Sequence, residues 1–354
     1  MLKKIIRRTL SDWFLLGMIS SVILASLFPR FGATGGTMHA DIASNAGIFM
    51  IFLFHGMDIS PQAMKNGLAR WKLHLTVQST TFVIFPLLFF AFKYAFSGIV
   101  PEDLMWGFLY LCALPSTISS SVAMTAIAHG NVPGAIFNAT LSNLIGIFLT
   151  PMIIGLVLST EGASLPLGQA ILNISILLFL PFVLGQALRP WFKGFISRHK
   201  KGVNTFDKLV ILMLVYSAFC DSVKSGLWTN YGVSLIFITI GGAAVILGFI
   251  LVFNTFSARL LGFDKEDEIT AVMCGSKKTL AAGVPMAKLL FPGNPILGLI
   301  VLPIMFYHQL QLFACSILAE RYARRLKDQP AENCPEPKPA SAAQAVPAAE
   351  EVRA

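Results

Sequence analysis

The stretch MCGSKKTLAAGVP (273–285) sets two lysines, Lys277 and Lys278, side by side among apolar and small residues, with Ser276 and Thr279 flanking them. A second stretch, ALPSTISSSVAMT (113–125), gathers hydroxyls at Ser116, Thr117, Ser119 and Ser120 just after Pro115. Ammonium groups attract anions, and hydroxyls both donate and accept hydrogen bonds. Pro115 and Pro285 remove a backbone donor and interrupt a helix, while Gly275 and Gly283 permit unwinding. A broken helix leaves free N–H and C=O groups that can hold a substrate or an ion. Ser276 beside two lysines also suggests a Ser–Lys nucleophile pair. No oxyanion-hole motif or third orienting group accompanies it, however, and GxGxxG, P-loop and HExxH patterns are absent. The chemistry on offer is binding, and no enzyme is expected.

The surroundings make these polar residues expensive. Of 354 residues 55% are hydrophobic and only 13% charged, with a mean hydropathy of +0.70. A water-soluble domain carries about 25% charged residues. Soluble, disordered, fibrous and disulfide-stapled classes are thereby excluded, and an all-α polytopic membrane protein is expected. A helix needs about 20 apolar residues to cross a bilayer. The chain offers ten such spans, at about 12–29, 40–57, 72–92, 104–128, 131–158, 167–188, 207–226, 232–256, 268–290 and 295–319. A mid-span lysine costs roughly 3 kcal/mol. Snorkelling to an interface is the bland alternative, but successive side chains diverge by about 100° on a helix, so one exit cannot serve both. The five cysteines form no CxxC or Cys/His pair and read as small core residues; no metal or other cofactor is implied.

Charge placement orients the spans. With both termini on one side, the opposite side receives Arg30, Lys93, Lys224 and Lys288, and Lys277 and Lys278 fall within a span. Every other Lys and Arg of the 27 lands on the side of the termini. The positive-inside rule makes that side cytoplasmic, and an integral protein of a bacterial inner (plasma) membrane is expected. The net charge of +9 then faces anionic lipid headgroups; no nucleic-acid partner is needed. Residues 1–327 form the membrane domain, and the Pro-, Ala- and Glu-rich tail 328–354 is expected to be disordered. A loop at 189–208 divides the spans five and five. An odd-numbered half recurs only in inverted orientation, which predicts two inverted five-helix repeats, about 12–158 and 167–320. The two interrupted stretches hold the same place, fourth, in each half.

Further polar residues could line the same site: Gln78 in span 3, and Asn138, Thr140, Ser142 and Asn143 in span 5. Interhelical hydrogen-bond glue is their alternative role. His55 and Asp58 lie three apart on one face at the end of span 2, where an interfacial cap is favoured over a metal pair. Asp221 sits near the end of span 7, and His308, Gln309 and Gln311 in span 10 could face the core.

At these residues the sequence resembles the bile acid:sodium symporter family, in the branch of sodium/bile acid cotransporter 7 and its bacterial relatives. The matching pieces are KLHLTVQSTTFVIFP (72–86), LPSTISSSVAMT (114–125), AIFNATLSNLIGIFLTP (135–151), YSAFCDSV (216–223) and CGSKKTLAAGVP (274–285). The resemblance covers about 10 to 325. It implies ten helices, a panel domain of spans 1, 2, 6 and 7, and a core domain of spans 3–5 and 8–10 in which broken helices 4 and 9 cross. Sodium-coupled members carry Glu-x-Gly-x-Gln-Asn in the second crossed helix. With Gly275 on that glycine, Met273 replaces the Glu, Lys277 the Gln and Lys278 the Asn, while Thr81 stands where a Gln is expected in span 3. A lysine ammonium could stand in for sodium.

The resulting expectation is a secondary transporter of a small organic anion, working by alternating access, with sodium an improbable coupling ion. Its site would comprise Lys277, Lys278, Ser276, Thr279, Ser116, Thr117, Ser119, Ser120, Asn138, Ser142, Asn143 and Gln78. Lys277, aligned with an ion-ligating Gln, is favoured as the group that exchanges a proton between access states, with Lys278 supporting the broken helix. A non-transporting membrane regulator that has kept the fold is the alternative. The residues do not specify the oligomeric state.

Overall fold

In the computed structural model, residues 13–33, 35–58, 62, 68–160, 167–224, 226, 232 and 234–325 are described. The basic N-terminal segment, Cys334, the tail 328–354 and most of the residues between the second and third expected spans lie outside them. Among the described residues the chain is all helix, apart from one isolated bridge between Ser97 and Val100. In order come α1 (Trp13–Leu27), the single turn α2 (Pro29–Gly32), α3 (Ala40–Asp58) and α4 (Trp71–Phe96). The half-length α5 (Glu102–Ala113) and α6 (Ser119–Ile127) follow, then α7 (Val132–Thr160). Helix α8 runs from Leu167–Ile174 through Ser175–Phe179 into Leu180–Arg198. After α9 (Lys200–Lys224) and α10 (Ser234–Leu260) comes a second half-length pair, α11 (Lys265–Gly275) and α12 (Leu280–Leu290), and α13 (Leu297–Arg324) ends the bundle. Helices α4, α7, α8, α9, α10 and α13 are long and apolar enough to cross a membrane, and α1 and most of α3 are shorter apolar helices. The protein is an integral membrane protein.

Prolines shape two of the long helices. In α4 a π-helical turn (Thr80–Ile84) precedes Pro86, and in α8 another (Ser175–Phe179) precedes Pro181. Proline has no N–H and its ring crowds the carbonyl four residues back, so one extra residue in the turn relieves the clash. Helix α8 lies along α3, and the crossing is closed by Gly56 against Gly185. A methyl group on either would sit 2.2 Å from a carbonyl oxygen, that of Phe182 or of Leu53, so only glycine allows this approach. Helix α9 packs on α1 and α3, whereas α13 packs on α5, α6 and α10, and α11 is enclosed by α4, α6, α7 and α10. Buried aromatic rings, among them Phe85, Phe89, Phe108 and Tyr307, fill the space around α5.

The expected loop at 189–208 is helical: α8 continues to Arg198 and α9 starts at Lys200, with the turn at His199. Hydropathy ends at the first charges, but a helix bonds its own backbone and runs on into water where charged side chains are welcome.

Candidate functional site

The two interruptions meet. Between α5 and α6 the chain unwinds over Leu114–Ile118, and between α11 and α12 over Ser276–Thr279. The Thr279 N–H donates to the Pro115 carbonyl at 3.0 Å, joining the breaks through the main chain. Pro115 cannot donate, and Gly275 lets α10 approach: a methyl there would lie 2.9 Å from Asn254 Oδ1. The N-terminal end of α6 has no side-chain cap, whereas the other three half-helix ends at the breaks have partners. Thr279 caps α12 by accepting the Ala282 N–H at 3.3 Å. Ser142 Oγ accepts the Ser116 N–H at 3.0 Å, Asn143 Nδ2 donates to the Ser116 carbonyl at 2.8 Å, and Thr150 donates to the Ala113 carbonyl at 2.8 Å. Helix α7 thus braces the first break, while Ser116 Oγ reaches the Cys274 carbonyl at 2.7 Å and ties it to α11.

Both lysines lie fully buried at this crossing, in different environments. Lys278 Nζ donates to the carbonyls of Thr81 (2.9 Å), Cys112 (2.9 Å) and Leu114 (2.6 Å) and sits 3.9 Å from the centroid of the Phe85 ring. Its backbone is held as tightly, since its N–H donates to Gln311 Oε1 at 2.8 Å and Gln311 Nε2 donates to its carbonyl at 2.9 Å. Lys277 Nζ donates to one carbonyl, that of Ser120 in the first turn of α6, at 2.7 Å. Ser276 donates back to the Val272 carbonyl at 2.6 Å, and its own carbonyl accepts from Tyr307 at 2.7 Å.

The remaining expected residues fall into two groups. Thr117 bonds Ser120 and Ser121 within the first turn of α6, and Ser119 faces outward, exposed. Gln78 Nε2 donates to the Asn138 carbonyl and side chain at 3.0 and 3.3 Å, a pair linking α4 to α7 with no bond to the crossing itself. Beside it, Thr80 donates to Asn254 Oδ1 at 3.0 Å. Asn254, Tyr307 and Phe85 escaped the sequence reading. Asn254 is one amide in an apolar helix without a Gly or Pro beside it, and the two rings carry no polar signal.

His55 and Asp58 separate. His55 Nε2 bonds Asp207 at 2.9 Å and Asp58 pairs with Lys200 at 3.4 Å, both on α9. His55 also lines a small cleft with Phe52, Phe182, Ile118, Thr140 and Asn143, which separates α3 and α8 from the first break. At the far end of α11, Asp264 caps the helix, Arg70 bridges Asp264 and Asp267 at 3.3 Å, and buried Glu268 receives Lys265, Arg259 and Tyr322. Acidic groups suit the positive N-terminal end of a helix, so this cluster anchors α11. No grouping of three or more potential metal ligands occurs among the described residues. The free cysteines Cys112, Cys220, Cys274 and Cys315 are buried.

Residues 12–324 match the model of the SBF-like CPA transporter family. The chain is 46% identical over 322 residues to an uncharacterized protein of Pseudomonas aeruginosa, covering 91% of this chain and 96% of that one. It is 44% identical over 322 residues to "Putative symporter YfeH" of Escherichia coli, with the same coverage. Identity to sodium/bile acid cotransporter 7 of Rattus norvegicus is 30% over 318 residues, covering 89% and 93%. The family is one of transporters and not of enzymes. With a buried, bonded crossing of two broken helices and a family match along nearly its whole length, this chain belongs to the SBF-like CPA transporter family.

Proposed function

We propose that the protein is a secondary transporter that moves a small organic anion across a bacterial inner membrane by alternating access. The ten spans of this reading are the six long helices, α1, α3 and the two broken pairs, arranged as two inverted five-helix repeats with both termini cytoplasmic. Spans 1, 2, 6 and 7 (α1, α3, α8, α9) form the panel that rocks against the core, and the cleft at His55 and Thr140 lies on that boundary. The observation that carries the reading is Lys277: a fully buried side-chain nitrogen with one carbonyl partner, at the N-terminal end of α6. The positive end of a helix disfavours a second cation and favours an anion. An anionic substrate there would be met by Lys277, by the free N–H groups of α6 and by nearby hydroxyls. Sodium is not the expected coupling ion, because a thioether at Met273 is a poor ligand for a hard cation. Relatives named as a symporter and as a bile acid cotransporter support an organic solute without naming this one.

Reconstitution into proteoliposomes tests the reading. Accumulation of a solute from a mixture of organic anions, lost in Lys277→Met while the variant stays monodisperse, is the expected result. A chain that moves no solute under a proton, sodium or potential gradient would favour a regulatory membrane protein instead.

A further inference from the structure

We infer that Lys278 is the built-in occupant of a monovalent-cation site, and that the site accepts a free primary ammonium ion or potassium once the side chain is removed. The inference stands apart from the transport reading, because it concerns what the crossing binds and not what it moves.

Three carbonyl oxygens surround Nζ at 2.6 to 2.9 Å, and the Phe85 ring covers it at 3.9 Å. A neutral amine has two N–H bonds to give and an ammonium has three. Three acceptors and a ring face therefore describe a receptor for the charged form. The acceptors are made available by specific features of the chain. Thr81 would ordinarily bond the Phe85 N–H, but the π-helical turn sends that N–H to Thr80. The next donor along would be residue 86, a proline, which has none. Cys112 would bond the Ser116 N–H, but Ser142 takes it. Leu114 would bond the Ile118 N–H, and the helix stops before it. The neighbouring carbonyls are already used: Ala113 by Thr150, Pro115 by Thr279 and Ser116 by Asn143. Two of the three cage oxygens belong to the C-terminal end of α5, where the helix dipole is negative. Oxygens spaced for an ammonium ion suit potassium, of nearly equal radius, better than the smaller sodium. No carboxylate takes part in the cage, so its selectivity rests on size and N–H geometry. The tether of Lys278 keeps this site filled at any salt composition, which locks α4, α5 and the second break together.

Chemical rescue tests the site. Lys278→Gly is purified in choline chloride, and its melting temperature is followed on exchange into n-butylammonium, ammonium, potassium or sodium chloride at equal ionic strength. The expected result is a low melting temperature in choline that rises with butylammonium most, then ammonium and potassium, while the parent protein responds to none. Equal responses of parent and variant, or no preference for primary ammonium over choline, would overturn the inference. Where Lys278→Gly cannot be extracted in choline, its monodisperse yield in butylammonium becomes the readout, and absence of recovery there also overturns it. Lys278→Met supplies a second check: the neutral side chain fills the volume, so a parent-like melting temperature would show that no cation is required.

Discussion

At the scale of single residues, adjacent lysines do different work because the backbone around them differs. Lys278 satisfies all three of its donors, and its removal strands three buried carbonyls. Each unsatisfied buried group costs about 1 kcal/mol or more, so Lys278→Met should lower stability by about 3 kcal/mol. Lys277 loses one bond and, at the positive end of α6, an unfavourable dipole interaction as well. Lys277→Met should change stability by about 1 kcal/mol or less while removing solute transport. Thermal unfolding of both variants in one detergent checks the order, and a larger loss from Lys277→Met would reverse the roles assigned here. Gln311 grips the Lys278 backbone from both sides, so Gln311→Leu should cost about 2 kcal/mol by leaving an N–H and a C=O unpaired.

At the scale of elements, the π-helical turn before Pro86 makes a prediction of unusual sign. By helix propensity alone, replacing a helix proline with alanine should stabilise, by up to about 3 kcal/mol. Here the alanine restores an N–H and removes the ring that forces the wide turn. Helix α4 can then return to regular pitch, in which the Phe85 N–H takes the Thr81 carbonyl away from Lys278. Pro86→Ala should therefore melt below the parent protein, and a higher melting temperature would count against the cage. The Gly56–Gly185 contact makes a simpler prediction. Leu at either position forces α3 and α8 apart against backbone atoms, and should cost about 3 kcal/mol or more, the upper range for overpacking.

At the scale of the whole molecule, charge and coupling are the testable properties. Cysteines placed in 59–71, at the His199 turn and in Leu261–Asp264 should all be labelled from the cytoplasm alone; labelling of any of them from outside intact cells would break the ten-span reading. Melting temperature should be equal in sodium and potassium chloride for the parent protein, since the crossing carries its own cation. A rise with millimolar sodium alone would require Ser276, Thr279 and nearby carbonyls to build a site without a carboxylate.

The helical membrane class, the two expensive stretches and the first break, at Pro115, were legible in the amino-acid sequence; Pro285, expected to interrupt its helix, lies inside α12, and the second break falls at Ser276–Thr279, directly after Gly275. The reason is local: burial in hydrocarbon filters residues one at a time, so a lysine pair or a proline beside glycine stands out wherever it falls. Helix ends in water escaped, as α8 and α9 show, because charges there are neutral to the fold. What only the tertiary structure decided is partnership. The spacing of Lys277 and Lys278 says that they diverge, but not that one enters a carbonyl cage while the other meets a single oxygen. That difference depends on α4, α5 and α7, which lie more than a hundred residues earlier and whose contributing atoms are mostly backbone. Carbonyl oxygens are common to every residue, and only the folded path of the chain shows which of them have been left without a hydrogen.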